Sequence, residues 1–412
     1  ILPYFKKSEF KENGDEKYRG KNGPLFVSDI VEKHPLCEEF IESSKEIGVS
    51  IQEDYNAGNQ EGIFYYQRTI KNGTRFSAYD AFLKPAIKRK NVKVDTNTIV
   101  LKIIFKEKKA IGLLCEKNKK KFKIFANKEI ILCAGAIGTP HLLQVSGVGN
   151  SNYLKKTGIP IIHESKNVGE GLQDHYAVRV SNSIKLPITL NERARGYKLF
   201  LEIMKWFVLK KGLISFSPAH VGAFLKSSPE IDLPDLQFVF TPASYTEGMI
   251  GKLQNIPGIT CGVWQSRPQS RGYVRALSTC IKDAPLIQPN YLKETIDQDV
   301  LIQGVKTCRD LLKTSNMKKI SIKETLPGEN IKTDSEILNF VKNNGATVYH
   351  AIGSCRMGID KDAVVDADLK LNGVENLRVA DASIMPTMPS GNTNAATLMI
   401  AEKASDLIKK DK

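Results

Sequence analysis

Residues 129–149, EIILCAGAIGTPHLLQVSGVG, limit the fold more than any other part of the chain. Residues 130–134 form a short apolar run, the pattern of a strand covered on both faces. Gly135 and Gly138 follow, and residues without a Cβ let the backbone turn sharply and approach a neighbour closely. Thr139 is a good N-cap, Pro140 suits the first helical position, and Gly147 supplies a stop. The spacing therefore predicts a buried strand, a tight turn, and a helix that starts at Thr139 and ends before Gly147. A strand ending at the mouth of a helix is where α/β sheets hold nucleotides. A plain strand–helix connection would read the same way, so the stretch needs companions.

Its surroundings are β-rich upstream. VKVDTNTIVLKIIF, AIGLLCEK and KFKIFANKEIILCA read as a meander feeding the final strand. Residues 176–345 mix strands (LPDLQFVF, GYVRAL) with two amphipathic helices, YKLFLEIMKWFVLKK and DQDVLIQGVKTCRDLLKT. The end of the chain holds a short strand, NLRVAD, and a helix starting near Asn394, with Ala401, Ala404 and Ile408 on its apolar face. Four segments follow: 1–91 as loops and a substrate-side cap, 92–175 as meander and strand–helix, 176–345 as a second domain, and 346–412 returning to the first. The fold class is mixed, α/β with α+β character. With 412 residues, 41% apolar and 25% charged, the composition is globular. No apolar run is long enough to span a bilayer, because LFLEIMKWFVLKKG is interrupted by Glu202 and Lys205.

The net charge of +15 invites a nucleic-acid reading. The lysines, however, fall in turns such as KEKK (106–109) and KNKKK (117–121), without a basic helix or interleaved aromatics. That pattern describes a solvated surface, and no nucleic-acid partner is expected. Seven scattered cysteines, odd in number and never in a CxxC pair, argue against a disulfide framework or zinc and for a reducing compartment. The expected location is cytoplasmic, free or peripherally associated with a membrane. The first residue, Ile1, reads as an internal start and carries no targeting information.

The stretch VYHAIGSCRMG (348–358) places His350, one of six histidines, ahead of a small-residue turn. Its imidazole is suited to handling a proton near neutral pH, and equally to filling a loop. Asn392 and Asn394 stand where the last helix begins, and capping alone could explain them. A helix N-terminus also stabilises negative charge placed against it.

Three stretches together carry a family resemblance. GAIGTPHLLQVSGVG (135–149) resembles the second signature of the glucose–methanol–choline (GMC) oxidoreductases. VGEGLQDH (168–175) resembles their connecting motif, with Gly171 where an Asn is usual. VYHAIGSCRMG with NLRVADASIMPTMPSGNTNAATLMIAEKASDLI resembles their catalytic segment, with Ser354 in place of a usual Thr. The likeness is greatest to choline-dehydrogenase-like alcohol dehydrogenases. It implies FAD, a Rossmann-like FAD domain with an antiparallel-sheet substrate domain, oxidation of a primary alcohol, and an electron acceptor such as a quinone. His350 matches the active-site base and Asn392 the partner that hydrogen-bonds the same substrate oxygen. Asn394 and Ala395 match the helix start under the flavin's pyrimidine edge. Asp381 and Ala382 match the turn beside the ribityl and pyrophosphate, Val100 a strand residue meeting the adenine, and Ala134 and Gly135 the loop near the adenosine. His175 is expected as a structural hydrogen-bonder, and no metal site is expected.

The departure is the phosphate loop. No G-x-G-x-x-G follows a strand anywhere in the sequence, and VGEGLQD and SGVGNS do not fit it. The FAD domain is therefore expected to lack its N-terminal βαβ unit, as in a fragment of a longer protein. An oxidase using O₂, a flavin-containing hydroxynitrile lyase, and an inactive remnant that does not bind FAD compete with the dehydrogenase reading. A choline site would need aromatics and a carboxylate, for which Trp264, Tyr245 and Glu247 are candidates.

Overall fold

Successive residues of a strand point to opposite faces, so a sheet with one apolar and one mixed set of alternating residues sorts them automatically. Strands Ser321–Leu326, Tyr176–Ile184, Gly258–Gln265, Leu236–Thr241, Val221–Leu225 and Gly62–Tyr65 lie side by side in that order, and Ala346–Thr347 also pairs with Tyr176–Ile184. Every pairing is antiparallel. The computed structural model describes residues 1–217, 219–246 and 252–411.

One face of this sheet carries Ile63, Val178, Val180, Val221, Leu236, Phe238, Phe240, Ile259 and Val263, all buried. Helices Pro35–Ser44, Thr295–Leu312 and Asp334–Asn344 cover it. Phe40 stacks on Phe240 at 4.0 Å between centroids. Gly304 lets the long helix sit close, since a Cβ there would lie 2.9 Å from Val263 Cγ2. The opposite face carries Phe224, Gln237, Trp264 and Ala177 in one cross-strand row, with Gly222, Val239, Gly262 and Arg179 in the next. That mixed, partly open face belongs to the site.

A second core contains the meander Thr98–Lys106, Lys109–Lys117 and Lys120–Phe125, the parallel pair Ile130–Leu132 and Leu377–Val379, and helices Gly135–Val145 and Thr393–Lys410. The mixed fold and the antiparallel second sheet agree with the sequence. Three local expectations are corrected. The 130–132 strand is not covered on both faces: Ile130 and Leu132 are buried on one face, but Ile131, which points to the other, is 39% exposed. The following helix starts at Gly135, four residues before Thr139, and Pro140 lies inside it. Thr139 does not cap the helix, since its hydroxyl accepts from Ala134 N–H (3.1 Å) and donates to Asp381 Oδ2 (2.6 Å). In the last helix the buried positions are Thr393, Ile400 and Ala404, while Ala401 is exposed. Helix Leu2–Ser8 packs there and sends Lys7 to Glu402 (3.0 Å) and Asp406 (3.2 Å), rotating the covered side away from the expected stripe.

Candidate active site

The segment carrying His350 is held by the segment carrying Asp174 and His175. Gly169 N–H donates to Ser354 O, Gln173 and Ile352 exchange two backbone bonds, and Val348 N–H donates to His175 O. The two segments approach so closely that a Cβ on Gly353 (φ +84°) would lie 2.8 Å from Gly171 O. Gly171 itself has φ +80°, a conformation that Gly or Asn tolerates, which accounts for either residue in the motif. Tyr349, the residue before the imidazole, has φ +64°, and such strain persists only where the surroundings over-determine it. Here Asp174 does so. Its Oδ1 accepts His350 N–H at 2.8 Å, and its Oδ2 accepts the Tyr291 and Thr347 hydroxyls at 2.5 Å each.

The ring contacts fix the protonation of His350. His175 Nε2 lies 2.9 Å from Ser266 O, and a carbonyl only accepts, so that nitrogen carries the proton. Burial drives the His175 pKa down to about 3, so the ring is neutral and its Nδ1 is an acceptor. His350 Nδ1, 2.8 Å away, must then be the donor. Burial also lowers the His350 pKa, against the opposing pull of Asp174, so His350 is neutral too. Its Nε2 is left with a lone pair, facing Asn392 Nδ2 at 3.0 Å. Asn392 Oδ1 in turn accepts from Gln237 Nε2 (3.2 Å), which also reaches Tyr66 Oη (2.9 Å). The Trp264 ring lies beside both histidines, 6.4 Å from His350 between centroids. Its Nε1–H, Gln237 Oε1 and the Ser266 hydroxyl are buried without a partner among the described residues, so the site holds spare donors and acceptors.

Asn392 occupies the N-cap position of helix Thr393–Lys410, but its side chain makes no capping bond. The capping explanation therefore fails for Asn392, whose amide serves His350. Asn394 and Ala395 are exposed in the first turn of a helix whose terminal N–H groups no side chain caps. At the other end of the site, Asp381 Oδ2 accepts Gly135 N–H at 3.0 Å as well as the Thr139 hydroxyl, and Oδ1 accepts Ser383 N–H at 2.8 Å. Ala382 O accepts Gly353 N–H. Ala134, Gly135, Asp381 and Ala382 thus meet at the C-terminal ends of two parallel strands. Val100 lies apart from this group, in the meander, half-buried against the second core.

A GMC oxidoreductase family model matches residues 1–177 at its N-terminal part and residues 268–401 at its C-terminal part. Over 99% of its length the chain is 38% identical to the mitochondrial choline dehydrogenase of Homo sapiens, covering 69% of that protein. The chain belongs to the GMC oxidoreductases. It is also 37% identical, over 98% of its length, to an alcohol dehydrogenase [acceptor] of Pseudomonas putida, of which it covers 74%. Pyridoxine 4-oxidase from Mesorbium loti superposes with a TM-score of 0.88 at 27% identity, over 99% of this chain and 76% of that one. FAD is the cofactor of this family, and its members act on CH–OH donors.

The residues present fit that cofactor. A Cβ on Gly135 (φ +78°) would meet nothing within 4 Å, so the turn after Ile130–Leu132 opens outwards, and the uncapped helix start at Thr393 is open as well. The Asp381 carboxylate is taken up by the chain's own donors and ties that turn in place. Of the residues suggested for choline, Trp264 borders the site. Tyr245 already carries the Arg179 guanidinium over its ring at 5.2 Å, and Glu247 lies outside the described residues. Four contributors were not assigned to the site from the sequence: Asp174, Gln237, Ser354 and His175 as a ring partner. Only the adjacency of Asp174 and His175 in VGEGLQDH offered a signal.

Proposed function

We propose that His350 is the base that takes the hydroxyl proton of a primary alcohol while the carbinol carbon loses hydride, giving the aldehyde. One observation carries this reading: the Nε2 lone pair faces Asn392 at 3.0 Å while Nδ1 is committed to His175. Ala134, Gly135, Ala382, Asn394 and Ala395, with Val100 further along, would hold FAD, which would supply the hydride acceptor. Asp381 would act by fixing the turn. The Asn392 amide would donate its N–H to the alcohol oxygen, steadying it as negative charge grows there. A neutral imidazole suits the task, because its basic nitrogen carries no proton. A quinone-type molecule would serve as the final electron acceptor. We assign residues 92–175 and 346–412 to the cofactor side and 1–91 and 176–345 to the substrate side.

The test is anaerobic bleaching of the flavin-loaded protein by alcohols. His350→Gln should retain bound flavin but bleach about 10²–10⁴-fold more slowly. Equal rates would remove His350 from the mechanism. No bleaching by any alcohol, with flavin bound, would favour the lyase.

A further inference from the structure

A surface helix ordinarily turns its apolar stripe inwards and its charges outwards. Helix Gly196–Leu209 does the reverse. It has no buried residue, and its attachments to the rest of the molecule are largely polar. Trp206 Nε1 donates to Gly73 O (2.8 Å), Lys205 pairs with Glu32 (2.7 Å), and Glu202 pairs with Arg193 (2.7 Å) and accepts Leu213 N–H (2.8 Å). Tyr197, Phe200, Leu201, Met204, Phe207 and Val208 are between 45% and 73% exposed. At about 100° per residue these six fall within an arc of about 120°, so they form one continuous stripe. Val31 and Ile214, both exposed, extend it: Val31 precedes Glu32, which accepts from Lys205 Nζ and Gly212 N–H.

Soluble monomers rarely expose apolar surface on this scale without a use for it. The charges around the stripe indicate its partner. Lys198, Lys210 and Lys211 are exposed on or just beyond the helix, in a chain of net charge +15. A second copy would bring the same lysines against each other, whereas an anionic lipid surface would attract them. The helix has 14 residues, about 21 Å at 1.5 Å per residue, and no helix among the described residues is long and apolar enough to cross a membrane. An apolar stripe flanked by lysines on a helix of this length suits the plane of the headgroups.

We propose that helix Gly196–Leu209 docks this protein in-plane on an anionic bilayer, with Phe200, Met204 and Phe207 seated at the acyl boundary. The inference is independent of the chemistry assigned to His350. The experiment is vesicle flotation of the full chain. It should float with phosphatidylglycerol–phosphatidylcholine vesicles and at least tenfold less with phosphatidylcholine alone. Phe200→Glu/Phe207→Glu should lose at least tenfold of that binding with an unchanged thermal midpoint, since both side chains are solvent-facing. Lys198→Gln/Lys210→Gln/Lys211→Gln should weaken binding to the anionic vesicles and leave binding to the neutral ones unchanged. The proposal is overturned if the wild type does not float, if the glutamate variant floats as well as the wild type, or if light scattering shows a dimer that this variant dissociates.

Discussion

Replacing His175 by phenylalanine tests the protonation logic of the site most directly. The ring pair at 2.8 Å is the contact that commits the His350 proton to Nδ1. A neutral hydrogen bond in a protein contributes about 1 ± 0.5 kcal/mol net, which sets a tautomer bias of about two- to thirteenfold. The His175→Phe variant lacks that acceptor, and the Nε2-protonated form of His350, which is blocked as a base, should rise by the same factor. The turnover rate should fall with the population of the active tautomer, by at most that factor. The buried Ser266 carbonyl and the Nδ1–H also lose their partner, costing about 1–3 kcal/mol of stability. His175→Gln is the rescue, because its amide oxygen can accept from Nδ1–H while its NH₂ donates to Ser266 O. The assay is ¹⁵N spectroscopy of histidine-labelled protein, which distinguishes protonated from bare ring nitrogens without turnover. A wild-type His350 protonated on Nε2, or a tautomer ratio that His175→Phe leaves unchanged, would refute the reasoning.

Two further outcomes follow from buried groups. His175 titrates at about 3 when folded, and the His350 value is also lowered, so the unfolded chain binds protons that the folded one refuses. Their stability contribution is complete above the ordinary histidine value near 6.5 and is lost as pH falls below it, with a slope approaching about 1.4 kcal/mol per pH unit for His175. Urea unfolding of wild type and His175→Gln across that window should show a shallower loss in the variant, and parallel curves would contradict the assignment. The second outcome concerns Ser354, whose hydroxyl donates at 2.5 Å to the Ala136 carbonyl that Pro140, lacking an N–H, cannot serve. Ser354→Ala should cost about 1–3 kcal/mol, but less than about 1 when Pro140→Ala restores a donor. Equal costs in both backgrounds, measured by equilibrium unfolding, would show the bond to be incidental.

The sequence revealed periodicities and motif order well, and partner choice poorly. The strand–turn–helix at 129–149, the meander and the terminal helix were all legible, because local apolar spacing and Gly placement decide them. The helix start was misplaced because Thr139 met a competing partner, Asp381, 242 residues away. Asn392 could not be separated from a cap by inspection, since the choice depends on a ring 42 residues upstream. His175 read as a bland hydrogen-bonder, and it is one. Its importance lies in which histidine it binds, and that follows from the register between two loops. In helix Gly196–Leu209 the amphipathic period was visible but the direction it faces was not, because a periodic pattern states that two faces differ and not which one meets the core.

The two halves of the candidate site are supported by different cores, and this division has a consequence for how the site responds to change. His350 is clamped through Asp174 and His175, at the point where the chain leaves the second core and enters strand Tyr176–Ile184. Asn392 belongs to the last helix, yet its amide oxygen is held by Gln237 from the centre of the large sheet. Gln237 shares a cross-strand row with Trp264 and Phe224, so a group bound on that face would press on the residue that aims the Asn392 amide. On the proposed reading, substrate contact and the orientation of the Asn392 amide would be coupled through one side chain. Gln237→Leu should consequently move Asn392 without touching the tautomer of His350, lowering kcat while the ¹⁵N pattern of the imidazole stays as in the wild type. If that variant shifted the His350 proton instead, the site would have to be treated as a single hydrogen-bond network and not as two supports that meet at the alcohol oxygen.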